Sequence, residues 1–268
     1  MYVAFVLALL VGGPLNACEV RSTEVVTVYP SGDQLPENLL RFYIYFSAPM
    51  GQKDILPSIS LFDEDGQELE GVFLSNRFDL WSADRTRLTL LFDPGRVKTG
   101  LTANKDLGRA LTSGSSYRLV IAESAQDADG CKLAALYSAE FRAGPADLAS
   151  PEPENWALGL PRSGTRDPIT IVLDGAADHL SLAYRIRVIG PAGASIPGNL
   201  ELDAAETIWR FTPRQPWDGA QHTIRIDPRL EDLAGNRIGV PFDLDLSTGA
   251  QSMKRPTERL ISFSPLPL

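Results

Sequence analysis

The sequence is poor in the residues that build metal sites and disulfide frameworks. Its 268 residues include two cysteines and two histidines, His179 and His222. Two cysteines are too few for a disulfide framework. His179 follows Asp178, but one histidine beside one carboxylate is not a ligand set. We therefore expect no metal and no cofactor.

Positive charge is also scarce. The chain has 25 Lys and Arg against 34 Asp and Glu, which gives a formal net charge of −9. Nucleic acids and anionic lipid surfaces require a basic partner surface. The charge balance thus argues against nucleic acid as a partner and favours solubility.

Catalytic motifs are missing from the chain. It contains no Gly-x-Ser-x-Gly, no Ser/His/Asp spacing, no Walker-type loop and no paired-Cys motif. We therefore predict a non-enzymatic protein. Acidic turns at residues 63–65 and 127–129 have two interpretations: hard oxygen ligands for Ca²⁺, or Asp and Gly placed for turn geometry. We favour turn geometry.

Long apolar runs are absent except near the start. Residues 2–11 are apolar, too short to span a bilayer, and typical of a signal-peptide core. The following Leu15-Asn16-Ala17-Cys18 resembles the lipobox of bacterial lipoproteins. That resemblance implies a signal peptide over residues 1–17, acylation of Cys18 and attachment to a membrane through the N-terminus. Without acylation, Cys18 could pair with Cys131.

One stretch of the sequence occurs twice. Residues 127–133 and 232–238 are acidic turns with Gly, and each follows an alternating strand, at 117–121 and 222–226. This is a β-hairpin pattern. A shift of 127 also places Phe42, Ile44 and Phe46 on Ile169, Ile171 and Leu173 without a gap.

The repeat predicts two tandem domains. Their expected boundaries are a leader over residues 18–28, domain 1 over 29–143, a Pro-rich linker over 144–155, domain 2 over 156–246 and a flexible tail over 247–268. The alternative for the tail is docking on a sheet edge.

The repeated pieces resemble a known family. Phe46-Ser47-Ala48-Pro49-Met50 and Asp232-Leu233-Ala234-Gly235-Asn236 are similar to the bacterial immunoglobulin-like domains of S-layer and other cell-surface proteins. The resemblance implies an all-β fold of two tandem immunoglobulin-like β-sandwiches. It also implies a role as spacer, scaffold or adhesive module, usually without catalysis.

The first copy carries a basic insertion, residues 95–116, which the second copy lacks. It contains Arg96, Lys98, Lys105 and Arg109. One interpretation is a loop that covers an open edge strand. The other is a loop that binds a protein partner in the cell envelope, because function on β-sandwiches gathers in end loops.

A glycan-binding function is the alternative to a scaffold. Exposed aromatics such as Trp81, Trp156 or Trp217 could stack on sugar rings. This hypothesis requires a coplanar, exposed aromatic pair, so burial of the tryptophans would contradict it.

Overall fold

A computed structural model describes Cys18 and residues 22–75, 80–98, 108–203, 205–242 and 257–268. Within these ranges the regular structure is mainly β. The strands are β1 (Val25–Tyr29), β2 (Gln34–Pro36), β3 (Arg41–Phe46), β4 (Ile59–Phe62), β5 (Arg87–Leu91), β6 (Ser116–Ile121), β7 (Tyr137–Gly144), β8 (Ala157–Gly159), β9 (Ile169–Val172), β10 (Ile186–Ile189), β11 (Gly198–Leu202), β12 (Ile208–Pro213), β13 (His222–Ile226) and β14 (Arg259–Phe263). The helices are α1 (Pro94–Val97), α2 (His179–Arg185) and two 3₁₀ turns, Leu56–Ser58 and Pro153–Asn155.

Strands β1–β7 form the first β-sandwich, which we call module 1 (residues 22–144). One sheet has the order β1-β3-β5 and the other the order β2-β7-β6-β4. All pairs are antiparallel except β2 with β7. Phe42, Ile44 and Phe46 alternate along β3 and are at most 4% exposed, so one face of this strand fills the core.

Strands β8–β14 form module 2 (residues 157–268). Its sheets have the orders β11-β12-β9-β8 and β10-β13-β14. Ile169 and Ile171 on β9 are fully buried, and Trp209 on β12 packs in the same core. The predicted all-β fold of two immunoglobulin-like sandwiches is therefore confirmed.

The structure places equivalent strands where the sequence repeat aligns them. β4 and β10 begin at Ile59 and Ile186, which differ by 186 − 59 = 127. The connection before them differs between the modules. Module 1 has a single 3₁₀ turn there, whereas module 2 has α2, whose N-cap Asp178 accepts a hydrogen bond from the Ser181 amide.

Two predicted boundaries need correction. The leader predicted over residues 18–28 contains most of β1, which pairs with β3. The tail predicted to be flexible supplies β14, which pairs with β13 along its whole length. Phe263 of β14 is buried against Trp217 and His222. Without β14, the apolar strand β13 would be an open edge.

β14 occupies the place in module 2 that β7 occupies in module 1. Tyr117 pairs with Phe141 across β6 and β7, and His222 pairs with Phe263 across β13 and β14. The second module is thus completed by a strand that is distant in sequence.

Candidate functional site

The two modules meet on the outer face of the sheet β1-β3-β5. Along β3, the side chains that alternate with the core residues are Arg41, Tyr43 and Tyr45. Arg41 and Tyr45 are partly buried, and Tyr43 is 2% exposed. Loops of module 2 cover this face and bring acidic and imidazole side chains to it.

An ionic network joins the modules at Arg41. Its guanidinium binds Glu231 directly and lies 3.7 Å from Asp178 Oδ2. The Tyr43 hydroxyl donates to the same Asp178 oxygen at 2.8 Å. Arg237 donates to Glu231 from within module 2 at 2.8 Å. Each buried charge therefore has an opposite charge or a donor beside it, as burial requires.

Burial dominates the titration of this network. Desolvation raises the pKa of Asp178 even though Arg41 and Tyr43 favour its ionised form. Desolvation and the nearby Asp178 carboxylate raise the pKa of Tyr43 far above its ordinary value. The tyrosine therefore acts as a neutral donor that holds Asp178 in place.

His179 is inserted among the aromatic side chains of module 1. Its ring stacks on Tyr29 with centroids 3.7 Å apart and meets the edge of Tyr45 at 5.8 Å. Desolvation and, to a smaller extent, the positive charge of Arg87 together lower the pKa of His179 to about 4. The imidazole is therefore neutral at pH 7 and serves as packing surface.

Glu206 makes a second polar contact between the modules. This fully buried carboxylate accepts hydrogen bonds from the Ser31 amide at 3.0 Å and from its hydroxyl at 2.6 Å. Burial raises the pKa of Glu206, while the bonds from Ser31 oppose the rise. Glu206 also has a φ of +52°, which is costly for a residue with a side chain.

The linker is held between the modules. Asn38 and the Asp147 backbone exchange two hydrogen bonds of 2.8 and 2.9 Å, and Asn236 donates to the same Asp147 carbonyl at 3.1 Å. Leu40 of module 1 donates directly to the Leu233 carbonyl of module 2 at 3.0 Å. Asp147 thus connects the two modules through its backbone.

The cations predicted to form a partner-binding loop are mostly engaged within the protein. Arg96 donates to the Gly108 carbonyl, and Arg109 forms a 3.0 Å ion pair with Glu37. The Lys98 ammonium lies 4.1 Å from the ring centre of Phe242 in module 2. Lys105 lies outside the described residues. The two described ends of the insertion are therefore fixed to the protein.

The tryptophans do not form the surface that a glycan site needs. Trp156, Trp209 and Trp217 are at most 7% exposed. Trp81 is half-buried against Phe46 and beneath Arg85. In the described part of the chain, no two tryptophans make a coplanar exposed pair, so the requirement set by the glycan hypothesis is not met.

Cys18 forms a disulfide with Cys131, with the Cα atoms 5.3 Å apart. This is the pairing expected if Cys18 is not acylated. A sulfur in a disulfide has no thiol left for a thioether-linked lipid, so the two states of Cys18 exclude each other. Lipidation of Cys18 stays a prediction that this pairing opposes.

The described ranges contain neither a metal-binding cluster nor a membrane-spanning helix. They contain no group of three or more Cys, His, Asp or Glu side chains that could hold a metal. The helices described are too short and too polar to cross a bilayer. In the turn at residues 127–129, Asp127 Oδ1 accepts from the amides of Asp129 and Cys131, the geometry expected where Asp shapes a turn.

Sequence reasoning missed the junction because its members are far apart in the chain. Arg41 and Glu231 are separated by 190 residues. One local signal was available: β3 carries Tyr43 and Tyr45 at outward positions, where β9 carries Thr170 and Val172. Large aromatics on an outward face indicate a covered face.

Comparison with known proteins gives distant structural similarity. No protein-family model and no curated protein matches the chain. The N-terminal part of the bacterial S-layer protein SbsC aligns with a TM-score of 0.32 and 13% identity over 78% of this chain and 41% of that one. The α2-macroglobulin of Escherichia coli, over domains MG0-NIE-MG1, aligns with a TM-score of 0.30 and 8% identity, covering 79% of this chain and 69% of that one.

The chain spans about two fifths of the SbsC chain with which it aligns. A second S-layer structure, rSbsC(31-844), shows the same relation, with a TM-score of 0.30, 8% identity and coverage of 93% of this chain and 42% of that one. Similarity at this level carries no information on activity, so function must be inferred from the residues of this chain.

Proposed function

We propose that this chain is a non-enzymatic, exported scaffold of the cell envelope that holds two immunoglobulin-like modules in one fixed arrangement. The observation that carries the proposal is the ionic network of Arg41, Asp178 and Glu231 across the junction. An orientation fixed by buried charges suits a spacer or a presenting scaffold, because directional polar contacts specify one geometry.

Export is part of the proposal. Disulfides persist mainly in oxidising compartments, and the Cys18–Cys131 pair favours such a location. The signal-peptide-like residues 2–11 favour it as well.

Membrane attachment through an acylated Cys18 would exclude the Cys18–Cys131 disulfide, so one experiment tests both states. Palmitate labelling of the wild type and of Cys18→Ser, with non-reducing peptide mapping of the same samples, separates the two states. Label that is lost in the variant supports an anchored lipoprotein. An unlabelled wild type with the Cys18–Cys131 peptide contradicts anchoring at this residue.

We further propose that the partner is an envelope protein that contacts the insertion between its fixed ends. Lys98 rests on Phe242 of module 2, and Arg109 pairs with Glu37 of module 1, so the two described ends of the insertion contact both modules. The net charge of −9 makes nucleic acid an unsuitable partner.

Crosslinking in intact envelopes tests this proposal. Replacement should be confined to residues 99–107, because Val97, Ala110 and Leu111 belong to the core. A matched control replaces the exposed turn at residues 191–195. Loss of a captured protein with the first replacement alone supports the proposal, whereas an unchanged set contradicts it.

A further inference from the structure

The N-terminal segment is bonded to the Asp127 turn at two described points. The Thr23 hydroxyl donates to Asp127 Oδ2 at 2.8 Å, and the Thr23 carbonyl accepts from the Ala134 amide at 2.8 Å. Cys18 is joined to Cys131 in the same turn. We call the Thr23–Asp127 bond and the Cys18–Cys131 disulfide together the N-terminal clasp.

The repeat shows why module 1 needs the clasp. At a shift of 105, Asp127 corresponds to Asp232 and Cys131 to Asn236. The Asn236 amide group donates to Asp232 Oδ2 at 2.8 Å, so module 2 satisfies that oxygen from within its own turn. The side chain of Cys131 has no amide group to donate, and Thr23 supplies the missing hydrogen bond to Asp127 Oδ2 from outside the turn.

The two halves of the disulfide differ in access. Cys131 is 4% exposed, whereas Cys18 is an exposed residue. Thiol–disulfide exchange requires a thiolate to reach one of the two sulfurs. An incoming thiolate therefore has a route to Cys18, and Cys131 is the leaving group.

We propose that the N-terminal clasp is a redox-sensitive device whose exchange site is Cys18 and whose ligand is a low-molecular-weight thiol. The thiolate sulfur bonds to the Cys18 sulfur, the Cys18–Cys131 bond breaks, and its electron pair leaves on Cys131. The product is a mixed disulfide at Cys18 and a thiolate at Cys131. The hydrogen bonds of Thr23 to Asp127 and Ala134 remain after opening.

The first test uses the unmodified protein with reduced glutathione as the probe, followed by acid quenching, alkylation and peptide mass spectrometry. We expect glutathione on Cys18 and the alkyl label on Cys131. Glutathione on Cys131, or no adduct under conditions where denatured protein reacts fully, would overturn the proposal. Palmitate on Cys18 would show instead that the chain never forms the disulfide.

Hydrogen exchange reports the consequence of opening. We expect the Ala134 amide, which donates to the Thr23 carbonyl, to exchange on the order of tenfold faster after glutathione treatment. The Asn236 amide in module 2 should be unaffected and serves as the internal control. Equal protection of Ala134 before and after treatment would contradict a mechanical role for the disulfide.

A rescue experiment tests whether the Thr23 hydroxyl takes the place of a hydrogen-bond donor at residue 131. Thr23→Val is compared in two backgrounds without a disulfide, C18A/C131A and C18A/C131N. Asparagine at 131 restores the internal donor that Asn236 provides in module 2, so Thr23→Val should lower Tm at least twice as much in C18A/C131A. Equal losses in the two backgrounds would refute the substitution of one donor by the other.

Discussion

The Asp127 and Asp232 turns have the same backbone and different neighbours. In each, the first Asp amide donates to the carbonyl four residues later, at 2.9 Å for Asp127 and 3.0 Å for Asp232. In each, Asp Oδ1 accepts from the amides two and four residues later. The turns differ at the second carboxylate oxygen, Oδ2, which accepts a hydrogen bond from Thr23 in module 1 and from Asn236 in module 2.

A contrast in the opposite sense holds at a second pair of equivalent turn residues, Arg85 and Glu206. Both have positive φ, +56° and +52°. Their carbonyls accept from the Met50 and Ala177 amides, which differ by 177 − 50 = 127. The Arg85 side chain bonds to its own module at the Met50 carbonyl, whereas Glu206 reaches Ser31 of the other module.

These pairs show how one scaffold serves two purposes. Backbone hydrogen bonds that shape the turns are repeated, while outward side chains decide what the turn contacts. The Asp127 side chain holds the N-terminal segment in module 1, and the Glu206 side chain of module 2 holds the other module.

The largest expected effect comes from breaking the ionic network that joins the two modules at Arg41. Arg41→Met removes the cation beside Asp178 and leaves Glu231 with Arg237, and we expect a loss of about 3 kcal/mol in the free energy of unfolding. Urea denaturation followed by tryptophan fluorescence measures it. Arg229→Met, which removes an exposed pair with Asp227, is the control, and equal effects of the two would contradict the network.

Acid should weaken the same junction through His179. The pKa of His179 is about 4 in the folded chain, against an ordinary value of 6.5. Between these two pH values, His179 is therefore mostly protonated in the unfolded chain and mostly neutral in the folded chain. Stability contributed by this group is complete above pH 6.5 and is lost as pH falls toward 4, by about 2 kcal/mol at pH 4.5.

His179→Phe keeps the stack on Tyr29 and removes the titration. Denaturation of both proteins at pH 7 and pH 4.5 isolates the effect, because Asp178 and Glu206 titrate in both. The wild type should lose more stability than the variant. Parallel losses would show that His179 is not buried as a neutral ring.

Replacing each turn aspartate by asparagine should distinguish the hydrogen bonds that Asp127 Oδ2 and Asp232 Oδ2 accept. In Asp232→Asn, the new amide group faces the Asn236 amide, and two donors then meet. We expect a cost of about 2 kcal/mol. In Asp127→Asn, the new amide faces the Thr23 hydroxyl, which can rotate and accept, so the cost should be under about 1 kcal/mol. A larger cost at Asp127 would invert the comparison.

The smallest effect belongs to the insertion that module 2 lacks. Arg109 and Glu37 form a partly exposed pair, so Arg109→Ala should cost about 0.5 kcal/mol, and salt should reduce the cost further. Thermal unfolding at low and high ionic strength measures this. A loss above about 2 kcal/mol would mean that the pair supports the core.

The sequence predicted the fold where spacing is local. Alternation at Phe42, Ile44 and Phe46 and its repeat at Ile169 and Ile171 were enough to place β3 and β9 in two cores. Burial on one face of a strand enforces a period of two, which sequence displays directly.

The junction and the last strand could not be predicted in the same way. The partners of Arg41 depend on how loops separated by more than a hundred residues meet, and such contacts leave no period. β14 was missed because its apolar residues, Ile261 and Phe263, stand in a segment rich in Pro and Ser. Pairing with β13 outweighs that local composition.

Pulsed electron spin resonance between the modules tests the fixed arrangement most directly. Spin labels at Glu140→Cys on β7 and Glu201→Cys on β11 occupy exposed positions in modules 1 and 2. We predict one narrow distance distribution in the intact protein and a broad one when Arg41→Met is added. A broad distribution with Arg41 in place would contradict a rigid scaffold.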